Sequence, residues 1–247
     1  MIELKDLVSP TKRPLITTIC GDGGIGKTSL ASLWPAPVMI RTEDGSRSIE
    51  DRQDVAMFPV AKTSRDVFEA IQSLMSEKHA FKTVIIDSIT QLNAIIEAET
   101  IAADGKAKAI NQALGGYGAG YAAASAVHRD IRESCQYLAD EKGMHVVFIA
   151  HADIETMDLP DQPQYTRYTM RINKKSISHY TDNVDLVAFI KLQVFTTGDG
   201  EKKKRPPVTS GLSRATRRRR TFQKTGLASR LTLFLQKGKT PLQNIFK

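Results

Sequence analysis

A glycine-rich segment directly after an apolar run constrains this chain more than any other feature. The segment GDGGIGKT occupies residues 21–28, fills every fixed place of the pattern G-x-x-x-x-G-K-[ST], and follows the run LITTIC. Such a loop needs a strand before it and a helix after it, because its backbone N–H groups must converge on phosphate oxygens at a helix N-terminus. The helical pattern KTSLASLW follows before Pro35. The sequence therefore predicts a strand, a phosphate-binding loop and a helix, in that order.

The residue types in this loop predict a site for a nucleoside triphosphate with magnesium. Glycines let the backbone approach the β- and γ-phosphates, the Lys27 amine reaches the same oxygens, and the Thr28 hydroxyl enters the magnesium shell. The residues predicted to bind the nucleotide are Gly21, Asp22, Gly23, Gly24, Ile25, Gly26, Lys27, Thr28 and Ser29.

Short apolar strands alternate with longer helical patterns along the first 195 residues. This order is typical of an α/β fold with a mainly parallel sheet and helices on both faces. The predicted strands are residues 15–20, 38–41, 55–58, 83–87, 146–150, 165–172 and 184–194. The longer predicted helices are residues 64–78, capped by Ser64, 89–103, and 121–142, ending at Gly143.

Basic residues are concentrated at the end of the chain. Residues 201–247 contain 14 Lys/Arg and one Asp/Glu, whereas the first 200 residues carry a net charge of −5. We therefore divide the chain into an ATPase domain, residues 1–195, and a basic, turn-rich tail, residues 196–247, in which residues 231–246 are apolar enough to return to the domain as a strand. A polycationic segment suits nucleic acid, because each contacted phosphate releases counterions.

Several other classes of protein are disfavoured. No stretch approaches eighteen consecutive apolar residues and the first ten residues lack an apolar signal region, so we expect a cytoplasmic protein without a membrane partner. Cys20 and Cys135 have no metal-ligand spacing, and we expect both to be buried packing residues.

Polar side chains follow three of the predicted strands at their carboxyl ends, where ligands of parallel sheets bind. Asp87 closes the run TVIID and is predicted to hold the water shell of magnesium. Glu43 is placed to orient an attacking water, with Asp44 as a rival one residue away. His151 ends the run VVFIAH, where it either senses the terminal phosphate or caps the strand. The predicted metal ligands are Thr28 and Asp87, and the predicted catalytic residues are Glu43, Lys27 and His151.

Two further groups have alternative interpretations. Lys174 and Lys175 either supply positive charge to the nucleotide of a neighbouring subunit or form a solvated face. Tyr117 and Tyr121 lie in a glycine-rich loop, where they either stack on unpaired bases or pack on the domain.

Taken together, these segments resemble the RecA-like ATPases of phages, a family linked to single-strand annealing. The resemblance covers residues 14–191. It is carried by GDGGIGKTSLA, VMIRTEDG, TVIIDSIT, YGAGYAAA and GMHVVFIAHAD. It implies a RecA-like P-loop fold with ATP and Mg²⁺ as cofactors. Carried over to these positions, Lys27 and Thr28 bind phosphate and magnesium, Glu43 activates water, Asp87 supports magnesium and His151 is the sensor.

The resemblance also implies a function and partners. These are ATP hydrolysis coupled to single-stranded DNA in phage recombination or replication, in a homo-oligomer, with other phage recombination or replication proteins, in the cytoplasm of a bacterial host. Asp22 stands where partition-type ATPases carry a lysine, which argues against that class. Two alternatives remain: a small-molecule P-loop kinase whose lid lies within the variable stretch 153–168, and an ATP-gated nucleic-acid-binding module without significant turnover.

Overall fold

The computed structural model of the protein describes residues 11–192 and 220–224. The strands in these ranges are β1 (Ile16–Gly21), β2 (Pro37–Arg41), β3 (Ala56–Val60), β4 (Thr83–Asp87), β5 (His145–Leu159), β6 (Gln162–Met170), β7 (Leu186–Leu192) and β8 (Arg220–Lys224). The α-helices are α1 (Lys27–Ala31), α2 (Ser64–Ser76), α3 (Ile89–Asp104), α4 (Ala119–Lys142) and α5 (Lys174–Thr181). Short 3-10 turns occupy Ser46–Ile49 and Ala113–Gly115.

The strands form one sheet in the order β3-β2-β4-β5-β1-β7-β8, with β6 paired to β5. The first six strands of this order are parallel, whereas β8 is antiparallel to β7 and β6 is antiparallel to β5. Because β5 lies between β1 and β4, Gly21, His151 and Asp87 meet where the parallel strands end. We call this border the carboxyl edge of the sheet.

Helices cover both faces of the sheet, as the sequence predicts. Successive side chains of a strand point to opposite faces, so Ile85 and Ile86 of β4 belong to separate apolar clusters. The cluster around Ile86 contains side chains from α2, α3, α4 and α5. The cluster around Ile85 contains Leu30 of α1 and Ile49 of the first 3-10 turn. This α/β fold with a mainly parallel sheet is the one predicted for a P-loop protein.

The ends of the helices agree with the predictions only in part. α4 ends before Gly143, which has a φ of 66°, as predicted. The predicted cap of α2, Ser64, is wrong, because the cap is Thr63. The Thr63 hydroxyl accepts a hydrogen bond from the N–H of Asp66, and the Asp66 carboxylate accepts one from the N–H of Thr63. This reciprocal pair satisfies two N–H groups that Ser64 would leave without partners.

β5 and β6 form a hairpin over the stretch 153–168, which the sequence predicts to be variable, and β6 overlaps the predicted strand 165–172. The predicted strand 146–150 is too short, because β5 continues to Leu159 and pairs with β6. In this pairing Ile154 of β5 lies opposite Tyr168 of β6, and Glu155 lies opposite Arg167. Most of its side chains beyond residue 152 are exposed on both faces of the ribbon. A ribbon exposed on both faces lacks the alternation of apolar and polar residues that identifies a half-buried strand.

Other predictions concern the cysteines, the tail and membranes. Cys20 and Cys135 are buried and free, as predicted.

β8 lies within the predicted tail and extends the sheet beside β7. The remainder of residues 196–247, including 231–246, is outside the described residues, and the boundary at residue 195 stays a prediction. Within the described part of the chain, no helix combines the length and the apolar character that crossing a membrane requires.

Candidate nucleotide-binding site

A cavity of about 570 Å³ opens at the carboxyl edge of the sheet. We call it the nucleotide cavity. It is lined by Gly24, Gly26, Lys27, Thr28, Ser29, Glu43, Asp44, Gly45, Arg47, Asp87 and His151. All five residues predicted to act in catalysis or metal binding therefore lie around one space. Of the predicted loop residues, Gly21, Asp22, Gly23 and Ile25 do not line it.

The backbone of the phosphate-binding loop requires glycine at three places. Gly24 and Gly26, which precedes α1, have φ values of 69° and 95°, a conformation that disfavours other residues. A Cβ atom on Gly21 would lie 2.8 Å from the carbonyl oxygen of Ile190 on β7. The loop therefore leaves the sheet in close contact with the neighbouring strand and turns directly into the N-terminus of α1, whose first residues, Lys27 to Ser29, line the nucleotide cavity.

The Lys27 amine is held inside the loop. Its Nζ atom donates hydrogen bonds of 2.9 Å to the carbonyl oxygens of Gly21 and Asp22, and the residue is only 6% exposed. Burial lowers the pKa of Lys27, and the nearby Asp87 carboxylate opposes this effect. A phosphate oxygen near this amine would meet a cation that is already oriented and largely desolvated. The predicted contact with phosphate stays a prediction.

Thr28 and Asp87 form a hydrogen-bonded pair of side-chain oxygens in the nucleotide cavity. The Thr28 hydroxyl donates a hydrogen bond of 2.7 Å to Oδ2 of Asp87, which is 4% exposed. Burial raises the pKa of Asp87, and the hydrogen bond from Thr28 partly counteracts this effect. Among the described residues, no cluster of three or more His, Cys, Asp or Glu could hold a metal ion by itself. The pair fits Mg²⁺ that keeps several waters and binds substrate phosphates, because such an ion needs few protein oxygens.

Glu43 and His151 form a second polar pair in the nucleotide cavity. Nε2 of His151 lies 3.2 Å from Oε1 of Glu43, within hydrogen-bond distance. This contact is the main cause that lowers the pKa of Glu43, while burial opposes it. The rival Asp44 is more exposed, with 68% of its side chain accessible against 37% for Glu43, and it lies 3.6 Å from the guanidinium of Arg41. Both carboxylates line the cavity, but only Glu43 is paired with His151 and is the less exposed of the two.

Thr42 is a site residue that the sequence reasoning missed. Its buried hydroxyl donates a hydrogen bond of 2.8 Å to the carbonyl oxygen of Ser88 and accepts one of 2.9 Å from the N–H of Ser88. Its own N–H donates to the carbonyl oxygen of Asp87 at 2.8 Å. These three bonds join the end of β2 to the end of β4, so they fix Glu43 beside Asp87. In the sequence, the one feature that could have indicated this role is the position of Thr42, a hydroxyl residue directly before Glu43.

A sequence profile of a family described as an AAA domain matches residues 13–225 of this chain, which is most of its length. The chain belongs to this AAA domain family. The family consists of AAA-type P-loop ATPases, in agreement with the loop and sheet described above. No curated protein matches the chain in a sequence search.

In this AAA domain the two remaining pairs of candidate residues, Lys174 with Lys175 and Tyr117 with Tyr121, do not line the nucleotide cavity. Lys174 pairs with Glu155 of the hairpin at 2.6 Å, and Lys175 donates a hydrogen bond of 3.2 Å to the carbonyl oxygen of Gly118. Tyr117 is fully exposed, whereas Tyr121 is half-buried at the start of α4. Neither lysine lines the nucleotide cavity of its own chain, so any contact with a nucleotide would have to be in a second copy.

Proposed function

We propose that this AAA domain hydrolyses ATP in a reaction that requires Mg²⁺. One observation carries the proposal: the Thr28–Asp87 pair and the Glu43–His151 pair line the same cavity as the phosphate-binding loop. Hydrolysis of a phosphate anhydride needs charge stabilisation on one side of the terminal phosphate and an oriented water on the other. The two pairs match these two requirements.

The residues of the loop hold the substrate in this mechanism. The N–H groups at the start of α1 and the Lys27 amine bind the β- and γ-phosphates, because both present positive charge to the anion. Thr28 and Asp87 would hold Mg²⁺, directly or through its waters, and the bound ion would supply positive charge beside the phosphate oxygens.

Glu43 orients the attacking water. Phosphoryl transfer passes through a loose transition state, in which positioning contributes more than the strength of the base. A carboxylate whose pKa is lowered by His151 is a weak base, but it is ionised at neutral pH and accepts a hydrogen bond from water. His151 holds Glu43 in place, and Thr42 fixes the backbone beside it.

His151 also connects the nucleotide cavity to the hairpin. It belongs to β5, which continues without interruption to Leu159. Its N–H donates to the Thr90 hydroxyl at 2.9 Å, and its carbonyl accepts from the N–H of Arg171 after β6. A shift of His151 on loss of the γ-phosphate would therefore reach both strands of the hairpin.

We further propose that the protein acts on single-stranded DNA in phage recombination or replication, as a homo-oligomer. The support is an aromatic–basic face formed by Tyr117, Tyr165, Arg167, Lys174 and Lys175, all of them exposed. Exposed rings stack on unpaired bases, and neighbouring cations track the backbone. The resemblance to RecA-like phage ATPases supports the same function.

The members of this face are linked by contacts. Lys175 binds the carbonyl oxygen of Gly118, next to Tyr117, whereas Lys174 and Arg167 share the carboxylate of Glu155. The loop before α4, the start of α5 and the hairpin are therefore adjacent at the carboxyl edge. Glu155 offsets part of the positive charge, so stacking contributes more to this face than charge.

The test for hydrolysis is phosphate release from ATP by the full chain. We expect turnover with Mg²⁺, none with EDTA, and none in Lys27→Ala. Transfer of the γ-phosphate to a nucleoside instead of water would identify a kinase. Binding of ATP without release of phosphate would favour the ATP-gated module.

The test for DNA is the ratio of turnover with and without single-stranded DNA. We expect stimulation by DNA in the wild type and a lower ratio in Tyr117→Ala and Tyr165→Ala. The matched control is Tyr137→Ala on α4, also an exposed tyrosine but outside the face. An unchanged ratio in both face variants would remove this face from DNA binding, and turnover indifferent to DNA in the wild type would contradict the DNA proposal itself.

A further inference from the structure

We propose that Arg47 binds the γ-phosphate of the nucleotide in its own chain and so makes the site distinguish ATP from ADP. The inference rests on the proposed ATP hydrolysis and adds a residue that neither the loop pattern nor the resemblance identifies. Arg47 lines the nucleotide cavity together with Lys27, Glu43 and Asp87.

The turn that carries Arg47 is fixed at both ends. Before it, Gly45 passes over the oxygen ligands: a Cβ atom on Gly45 would lie 3.6 Å from Oδ2 of Asp87 and 3.8 Å from the Thr28 hydroxyl. After it, Ile49 is buried in the same apolar cluster as Leu30 of α1. The backbone at Arg47 is thus held beside the place where the terminal phosphate and its metal would lie.

The Arg47 guanidinium has no partner within the described part of the chain. No hydrogen bond or ion pair joins it to a described residue. The arginines on either side differ: Arg41 lies beside Asp44, and Arg52 forms hydrogen bonds of 2.6 Å with both carboxylate oxygens of Asp54. Of these three arginines, the one that faces the cavity is the one free to bind a ligand.

The charges around the cavity also favour an anion at Arg47. The Lys27 amine is held within the loop by the carbonyl oxygens of Gly21 and Asp22. Mg²⁺ at Thr28 and Asp87 would offset the charge of Asp87, whereas Glu43 would still present a negative charge close to the γ-phosphate. Arg47 lines the same cavity and would offset that charge, and a guanidinium matches two phosphate oxygens with parallel hydrogen bonds.

This contact would exist only with a triphosphate, because ADP lacks the γ-phosphate. Arg47 and Glu43 belong to the same short segment after β2, separated by three residues. Binding of Arg47 to the γ-phosphate would therefore also fix Glu43, so that the water-orienting carboxylate is in position only when ATP is bound.

The test compares the binding of two nucleotides by calorimetry, with Mg²⁺ present. The nucleotides are ADP and the non-hydrolysable ATP analogue AMP-PNP, and the proteins are the wild type, Arg47→Ala and Arg47→Lys. A charge-assisted contact of about 1.5–3 kcal/mol corresponds to about a 10- to 150-fold change in affinity. We expect Arg47→Ala to weaken AMP-PNP binding by at least about tenfold and ADP binding by less than about twofold, with partial recovery in Arg47→Lys.

The control is Arg65→Ala, an exposed arginine of α2 outside the nucleotide cavity, which should leave both affinities unchanged. Equal losses for the two nucleotides in a folded Arg47→Ala, or no loss, would overturn the inference. A thermal melt of each variant checks folding, and if the alanine variant fails to fold, Arg47→Lys and Arg47→Gln decide between the same outcomes. Failure of the wild type to bind either nucleotide would instead contradict the proposed function.

Discussion

His151 and Glu43 lie 108 residues apart in the sequence, but Nε2 of one is 3.2 Å from Oε1 of the other. This contact reaches across the end of β4. His151 belongs to β5 and Glu43 follows β2, while β4, which carries Asp87, lies between these two strands in the sheet. The pair therefore spans the end of β4, so the carboxylate proposed to orient water follows the strand next to the one that carries Asp87.

The first prediction concerns Glu43. Replacement by glutamine keeps the shape and the contact with His151 but removes the negative charge that orients water. General base catalysis contributes typically about 10²–10⁴-fold, so we expect Glu43→Gln to lower kcat by at least about 100-fold while ATP still binds. Asp44→Asn is the matched control and should retain turnover. The reverse result, with turnover lost in Asp44→Asn and kept in Glu43→Gln, would assign the role to Asp44.

The second prediction concerns His151. We expect His151→Ala to lower kcat by roughly 10- to 100-fold, because Glu43 loses the contact that holds it, with a smaller change in ATP affinity. His151→Gln can still donate a hydrogen bond to Glu43 and should recover part of the rate. Single-turnover kinetics and ATP titrations measure the two quantities separately. Equal rates in the alanine and glutamine variants would mean that the contact with Glu43 has no catalytic role.

Local patterns predict much of this fold. Apolar runs identify β1, β2 and β4, because both faces of these central strands are buried. The rule that parallel strands end at one edge was enough to expect Glu43, Asp87 and His151 near each other. Their proximity is observed, whereas their catalytic roles remain predictions.

Features that depend on contacts between distant segments were not predictable in this way. The two hydrogen bonds between Thr42 and Ser88 join residues 46 positions apart, and no local pattern encodes them. The extension of β5 into the hairpin was missed because its exposed faces have no apolar period, although the predicted strand 165–172 overlaps β6. Arg47 resembles any other loop arginine until the structure places it in the cavity.

The third prediction concerns packing at Gly120, in the first turn of α4. Replacing glycine by alanine inside a helix usually stabilises by about 0.5–1 kcal/mol. Here a Cβ atom would overlap the carbonyl oxygen of Ile110 and lie 2.9 Å from Cβ of Ala113. We therefore expect Gly120→Ala to lower the free energy of unfolding by about 1–3 kcal/mol, measured by urea denaturation. Gly23→Ala, where a Cβ atom meets nothing within 4 Å, should change it little. A higher free energy of unfolding in Gly120→Ala would show that these close contacts do not oppose a Cβ atom at this position.

The fourth prediction is that Asp87 lowers the stability of the nucleotide-free protein. Burial raises its pKa above the ordinary value of 3.8. The folded state therefore binds this proton more tightly than the unfolded chain, and stability falls as pH rises from 3.8 through the raised pKa. At pH 7 the ionised carboxylate therefore lowers the free energy of unfolding, and Asp87→Asn removes this effect.

We expect Asp87→Asn to raise Tm at pH 7 and to lose Mg²⁺-dependent turnover. A gain of about 1 kcal/mol would raise Tm by about 2–4 °C in a chain of this size. The control is Asp54→Asn, because Arg52 lowers the pKa of the Asp54 carboxyl and its removal should give no gain. Calorimetry without nucleotide measures both variants, and a lower Tm in Asp87→Asn would contradict the assigned direction.

The fifth prediction follows from the opposite pKa directions of the two carboxylates. Glu43, whose pKa is lowered by His151, stays ionised to lower pH than an ordinary glutamate, whereas Asp87, whose pKa is raised by burial, is protonated at higher pH than an ordinary aspartate. Because protonated Asp87 is a poor metal ligand, it should determine the acid limb of kcat/KM, which reports the free enzyme. In the complex, bound Mg²⁺ favours the ionised form, so the acid limb of kcat should lie at lower pH than that of kcat/KM. Rates measured from pH 4 to 8, with ATP kept in its magnesium complex, give both profiles. Coinciding limbs, or a limb of kcat/KM that moves in Glu43→Asp, would show that Asp87 is not the group responsible.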